Sequence, residues 1–207
     1  IKATLESNEE IGYELLRDSG AVENLDFTAR DLASIEFKLK RYKLFVNVEP
    51  EELHKPLFSE DIELNDVVLE ITEESKEYTD PERLKKKFEK LRENGLEIAL
   101  DDFGSQRQNF DRLSEYKPDF VKIDKSIVQN EEMLKMFIPF IPQYNVIVEG
   151  VETEEQLKNC IKHGFHFVQG YYLAKPLNYT NLLTELVNED LQNSILQKLD
   201  LKVPETL

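Results

Sequence analysis

The chain has 207 residues, enough for one good core and at most two small domains, and its 40% hydrophobic share is that of an ordinary globular protein. With 42 acidic residues against 26 basic ones the formal charge is −16, which argues against polymeric nucleic acid or an anionic membrane as partner but not against a small anion met by metal. A single cysteine, Cys160, excludes an internal disulfide and suits a reducing cytosol, and no apolar stretch is long enough to span a bilayer or to act as a signal peptide.

The chain begins at Ile1 rather than Met, so the sequence reads as part of something longer, with any sensor or partner domain outside it. Thr28 is placed to cap a helix carrying Leu32, Ile35 and Leu39. Two short apolar runs follow, LFVNVEP with Asn47 and VVLEITEE with Glu70 and Glu73. Asp80-Pro81 opens a helix with Leu84, Phe88 and Leu91 on one face and Gly95 just past its end. Next come LEIALDDFG, with Asp101 and Asp102, and DFVKIDKS, with Lys122 and Asp124. The stretch Glu131–Gln143 is helical in pattern until Pro139 and Pro142 interrupt it. VIVEGVE supplies Glu149 and Glu152, and Thr153 with Gln156 fits a capping box for a helix carrying Leu157 and Ile161 and stopping near Gly164. FHFVQGYYL, with Gln169, is the last run, and Leu182, Leu183, Leu186 and Leu191 keep a helical rhythm beyond it.

Strand and helix thus alternate from about Lys43 to Leu177, which predicts parallel β/α units. No G-x-G-x-x-G or Walker loop is present, and the polar residues come from many strand ends rather than one crevice. Both facts favour a closed, modified (β/α)8 TIM-like barrel, shortened against the typical length of ~250 residues. The expected division is a barrel domain over residues 1–183 and a C-terminal helix, tail or linker over 184–207.

Six buried runs that each end in an acidic or amide side chain bring those groups to one mouth. Carboxylates gathered there repel one another unless positive charge sits among them, and divalent metal answers that need. His54, His163 and His166 lie off these strand ends, which disfavours zinc. Blander roles remain open residue by residue. Asp101-Asp102 alone fits a turn or helix cap. Glu73 fits a solvated strand-end carboxylate, and Lys122 fits an ion pair with Asp124 or another strand-end acid. Glu14 and Arg17 fit a surface helix or an edge strand.

Taken in order, the motifs Gly12-Tyr13-Glu14-Leu15-Leu16-Arg17, Val46-Asn47, Leu69-Glu70-Ile71-Thr72-Glu73, Asp101-Asp102-Phe103-Gly104, Val121-Lys122-Ile123-Asp124, Glu149-Gly150-Val151-Glu152-Thr153 and Val168-Gln169-Gly170-Tyr171 resemble those of the EAL-domain family, over roughly Ile1 to Leu183. The resemblance implies a modified barrel with one irregular strand and hydrolysis of one 3′–5′ phosphodiester of cyclic di-GMP to linear pGpG with Mg2+ or Mn2+. It implies that Glu14, Asn47, Glu70 and Asp101 hold a first metal, that Asp101 and Asp102 with Glu149 serve a second, and that Lys122 holds the attacking water. It further gives Glu73 and Glu152 a bracing role toward the loop after Asp102, groups Asp124 with the supporting residues, sets Gln169 beside Glu149 and puts Arg17 near a ligand phosphate. A homodimer in the cytoplasm is the implied setting.

The chain departs from the family pattern in two motifs. Glu14 and Arg17 are three apart where the pattern has four, and the loop after Asp102 reads Phe103-Gly104-Ser105-Gln106-Arg107-Gln108-Asn109, without the second glycine and the serines. An active, conditional phosphodiesterase and a catalytically weak or inactive cyclic di-GMP receptor are therefore both expected outcomes. Another metal-dependent barrel enzyme is the distant third.

Overall fold

A computed structural model describes residues 2–4, 10–15, 43–48, 64–65, 67–72, 81–105 and 110–175 of the protein. The Thr28 helix, Arg17, Glu73, residues 106–109 and the leucine-rich C-terminal stretch lie outside them.

The described strands close a barrel in chain order: β1 (Lys2–Thr4), β2 (Glu10–Leu15), β3 (Lys43–Asn47), β4 (Val67–Thr72), β5 (Glu97–Phe103), β6 (Phe120–Ile123), β7 (Asn145–Val148) and β8 (Phe167–Val168). From β2 to β8 each neighbour is parallel, while β1 runs antiparallel to both β2 and β8 and completes the ring. The sequence-level expectation of a shortened TIM-like barrel is met. Residues 2–4 carry no strand signal of their own, so the irregular strand became visible only through its pairing.

Between the strands stand α1 (Pro81–Glu93), α2 (Asp111–Tyr116), α3 (Lys125–Val128), α4 (Glu131–Lys135), a 3-10 turn over Ile138–Phe140, and α5 (Glu154–Lys162). The capping box forms as the sequence dictates, with Gln156 N donating to Thr153 Oγ1 and Thr153 N donating to Gln156 Oε1. Gly95 follows α1 at φ 87, where a Cβ would also lie 3.1 Å from Asn65 Cα, so glycine is favoured at this turn. The helix expected to run up to Pro139 ends earlier, at Lys135. Pro139 has no N–H to donate back to the Lys135 carbonyl, and the chain passes through a turn into 3-10 geometry over Ile138–Phe140.

Two apolar clusters result from the alternation of each strand. Outward residues such as Leu69, Ile98, Leu100, Val121 and Val148 pack under Leu84, Phe88, Leu157 and Cys160 of the helices. Inward residues Phe45, Val68, Ala99, Phe120 and Ile147, with Phe167 against them, fill the barrel. Phe45 and Phe120 meet edge-to-face at 5.3 Å between ring centroids, which plugs the floor.

Burial pushes the Cys160 thiol up to about 12, so it carries no thiolate at neutral pH. In the folded protein Cys160 therefore stays unmodified by an aromatic disulfide reagent and reacts only as the chain unfolds. Rapid labelling under native conditions would contradict this packing of α5.

Candidate active site at the strand ends

The apolar floor fixes the polar layer above it. Along a strand, residues two apart share a face. Two positions beyond Phe45, Val68, Ala99, Phe120, Ile147 and Phe167 stand Asn47, Glu70, Asp101, Lys122, Glu149 and Gln169. Six strands thus each carry an inward apolar residue followed by an inward polar one, at the C-terminal end where TIM-barrel sites are built.

The barrel's stagger brings these residues to one level. Asn47 pairs in register with Glu70, but Glu70 pairs with Ala99, one inward position earlier on β5. The same step recurs between Lys122 and Ile147. It recurs again between β2 and β3, where Glu14 is opposite Phe45. The backbone of Glu14 accordingly occupies the row of Asn47 and Glu70.

Asp101 and Asp102 are adjacent, so a regular strand would point them to opposite faces. A bulge resolves the conflict. Leu100 pairs with Val121 and Phe103 with Ile123, so β5 spends three steps where β6 spends two. Asp102 absorbs the extra residue at φ 54, a left-handed conformation that aspartate tolerates better than most residues. The bulge returns Phe103 to the outer face, where its ring packs on those of Phe110, Phe137 and Phe140. One oxygen each from Asp101, Asp102 and Glu149 then lies within 4.8 Å of the others.

Lys122 is at the centre. Its side chain is 1% exposed, and its Nζ lies 2.9 Å from Glu70 Oε1, 2.8 Å from Asp101 Oδ1 and 2.8 Å from Glu149 Oε1. Asp101 Oδ1 also accepts from Asp102 N at 3.0 Å, which couples that carboxylate to the bulge. Three carboxylates, those of Glu70, Asp101 and Glu149, thus meet one ammonium, and a fourth, that of Asp102, joins two of them in the oxygen cluster. The set retains three negative charges, and all its donor atoms are hard oxygens, which suits Mg2+, Mn2+ or Ca2+.

Two glycines hold the rim loops that present Glu149 and Gln169. Gly150 has φ 67, and a Cβ on it would lie 2.3 Å from Lys125 Cβ. A Cβ on Gly170 would lie 2.1 Å from the carbonyl oxygen of Val151 and 2.3 Å from its nitrogen. The close approach lets Val151 N donate to Gln169 O and Tyr172 N donate to Val151 O. Sequence reading passed over these glycines, although their places directly after Glu149 and Gln169 were a usable signal.

Other expected site residues stand apart from the cluster's core. Asp124 caps α3, accepting from Ser126 N at 2.9 Å. Glu152 is exposed, and its N donates to Gln156 Oε1 at 2.7 Å. Away from the mouth, Lys162 and His163 donate to Glu131 and hold its carboxyl at about 2, tying α4 to α5.

The family profile described as EAL domain matches residues 14–176. This chain belongs to the EAL domain family. It is 31% identical over 191 residues to the probable cyclic di-GMP phosphodiesterase PdeI of Escherichia coli K12, covering 83% of this chain and 23% of that protein. The chain likewise spans 33% of the probable cyclic di-GMP phosphodiesterase PdeN of E. coli K12, at 30% identity over 171 residues and 73% of this chain. Among solved structures, the EAL domain of Mycobacterium smegmatis DcpA superposes with a TM-score of 0.68 at 28% identity, over 79% of this chain and 84% of that one. The Bacillus subtilis YkuI protein, solved with cyclic di-GMP and calcium, superposes with a TM-score of 0.62 at 25% identity, over 96% of this chain and 61% of that one. In this EAL domain Asn47, Glu70, Asp101, Lys122, Glu149 and Gln169, all quoted from the motifs, stand at the C-terminal ends of six successive strands.

Proposed function

We propose that this EAL domain hydrolyses cyclic di-GMP to linear pGpG with two divalent cations, Mg2+ or Mn2+. The observation that carries this is the meeting of Glu70, Asp101, Asp102 and Glu149 around Lys122 at the closed barrel's C-terminal mouth. Glu14, Asn47, Glu70 and Asp101 would hold one cation; Asp101, Asp102 and Glu149 would hold the other. When bound, such a pair supplies Lewis-acid neutralisation of the phosphate and a more acidic water.

The chain's own groups do the rest. Lys122 orients the attacking water and adds fixed positive charge in a site shielded from solvent. Water oxygen forms the new bond to phosphorus, and the P–O3′ bond breaks to leave a 5′-phosphate and a free 3′-hydroxyl. Glu149 takes the proton that the water loses, and the departing O3′ takes up a proton from solvent at the mouth. Among the three acids that contact Lys122 its side chain is the most open, at 16% exposed against 10% for Asp101 and 0% for Glu70. Gln169 supports Glu149, Arg17 meets a phosphate, and Asp124, Glu73 and Glu152 brace the rim.

The domain acts in the cytoplasm as a homodimer, with a sensor or partner domain elsewhere in the protein. Its lone cysteine suits that compartment. On this reading residues 1–183 make up the barrel domain and 184–207 a C-terminal helix, tail or linker.

A receptor that binds without turnover is the second reading, favoured by Ser105-Gln106-Arg107-Gln108-Asn109, which lacks the glycine and serines of the family loop. Incubation with cyclic di-GMP and Mg2+ or Mn2+, scored for pGpG, separates the two. Slow or dimer-dependent product formation is the expected result. Tight binding with no product under either metal makes the domain a receptor, and neither binding nor product removes both assignments.

A further inference from the structure

We infer that Lys122 is the resident counter-ion of this centre, holding the carboxylates together before any divalent cation binds. Three observations carry the inference. An ammonium has three donors, and Lys122 Nζ lies 2.8–2.9 Å from three acids on three different strands, β4, β5 and the end of β7. The lysine is among the largest fully buried side chains, and Glu70 beside it is 0% exposed. Finally, the Asp101 oxygen that meets Lys122 also accepts from Asp102 N, so the lysine's contact reaches the bulge.

The consequence is a division of labour among the oxygens. Each carboxylate has two, and Lys122 engages one from each of its three partners. Asp101, Asp102 and Glu149 each still offer an oxygen within 4.8 Å of the others. Without Lys122, buried like charges on neighbouring strands would force the barrel's mouth apart, because breaking a buried ionic cluster by removing one sign leaves the other uncompensated. Lys122 thus supplies in the metal-free centre the positive charge that a cation supplies once bound, besides being a candidate catalytic residue. This role rests on the divalent-cation assignment proposed above, but not on the identity of the substrate.

Lys122→Met tests it by thermal melting in EDTA and in Mn2+, with no substrate present. In EDTA the variant should melt about 6–20 °C below the parent. Mn2+ should raise its melting temperature by more than it raises the parent's, because two positive charges then replace the missing one. Titration followed by the EPR signal of free Mn2+ should show binding at least as tight as in the parent, while Lys122→Arg should keep most of the parent's melting temperature in EDTA. Equal melting of Lys122→Met and parent in EDTA, or equal shifts with Mn2+, would overturn the role. If Lys122→Met does not fold, the paired variant Lys122→Met with Glu70→Gln decides. Recovery of a folded protein supports the counter-ion role, and failure to recover contradicts it. Absence of pGpG formation in the parent would overturn the proposed hydrolysis and leave these melts unaffected.

Discussion

Asp101→Asn should lower turnover of cyclic di-GMP by about three orders of magnitude or more and remove cation binding at both positions. The residue is the one carboxylate common to both proposed cation sets, and it also contacts Lys122 at 2.8 Å. Metal contributes several kcal/mol of transition-state charge stabilisation. At about 1.4 kcal/mol per factor of ten, its loss accounts for the expected fall. Asparagine keeps the shape and one oxygen acceptor, so the variant should remain folded, with Cys160 still protected from labelling. Mn2+ titration and steady-state kinetics are the measurements. Unchanged turnover in a folded Asp101→Asn protein would refute the assignment of two cations bridged by one aspartate.

Gly170→Ala should destabilise the domain by about 3 kcal/mol or more, at the upper end of what overpacking usually costs. The new methyl carbon would stand 2.1 Å from the Val151 carbonyl oxygen and 2.3 Å from its nitrogen. Those are backbone atoms, with no rotamer to turn aside. Relief requires the segment after β7 to separate from the segment after β8. That separation breaks the bonds from Val151 N to Gln169 O and from Tyr172 N to Val151 O, and it moves Glu149 and Gln169 with them. Urea unfolding of the variant measures the cost. Loss of activity before loss of fold, as urea rises, would follow from the same displacement. A Gly170→Ala protein as stable as its parent would mean that the two rim segments do not approach as described.

The barrel was legible in the sequence because its strands are short apolar runs that end abruptly in polar residues. Parallel strands buried on both faces are written that way. The rule behind the site was legible as well: Phe45 and Asn47, Val68 and Glu70, Ala99 and Asp101, Phe120 and Lys122, Ile147 and Glu149, and Phe167 and Gln169 each stand two apart. What periodicity could not show was the bulge at Asp102. The alternation of LEIALDDFG is satisfied either by one inward aspartate or by two, and only the pairing of Phe103 with Ile123 selects two. Nor could it show which acids Lys122 would choose. Asp124 is nearer in sequence but turns away to cap α3, while Glu70, Asp101 and Glu149 come from strands 21 to 52 residues away in the chain. The antiparallel β1 was illegible for a related reason: an edge-closing strand of three residues has too few positions for a pattern.

A crystal of the domain grown with Mn2+ and cyclic di-GMP, with data collected at a wavelength where manganese scatters anomalously, tests the shared carboxylate centre most directly. Two anomalous peaks at the barrel mouth, both within coordination distance of Asp101 and one also against Asp102, are the predicted result. Cyclic di-GMP held at the mouth with no manganese between its phosphate and Asp101, or manganese bound only elsewhere on the surface, would contradict it.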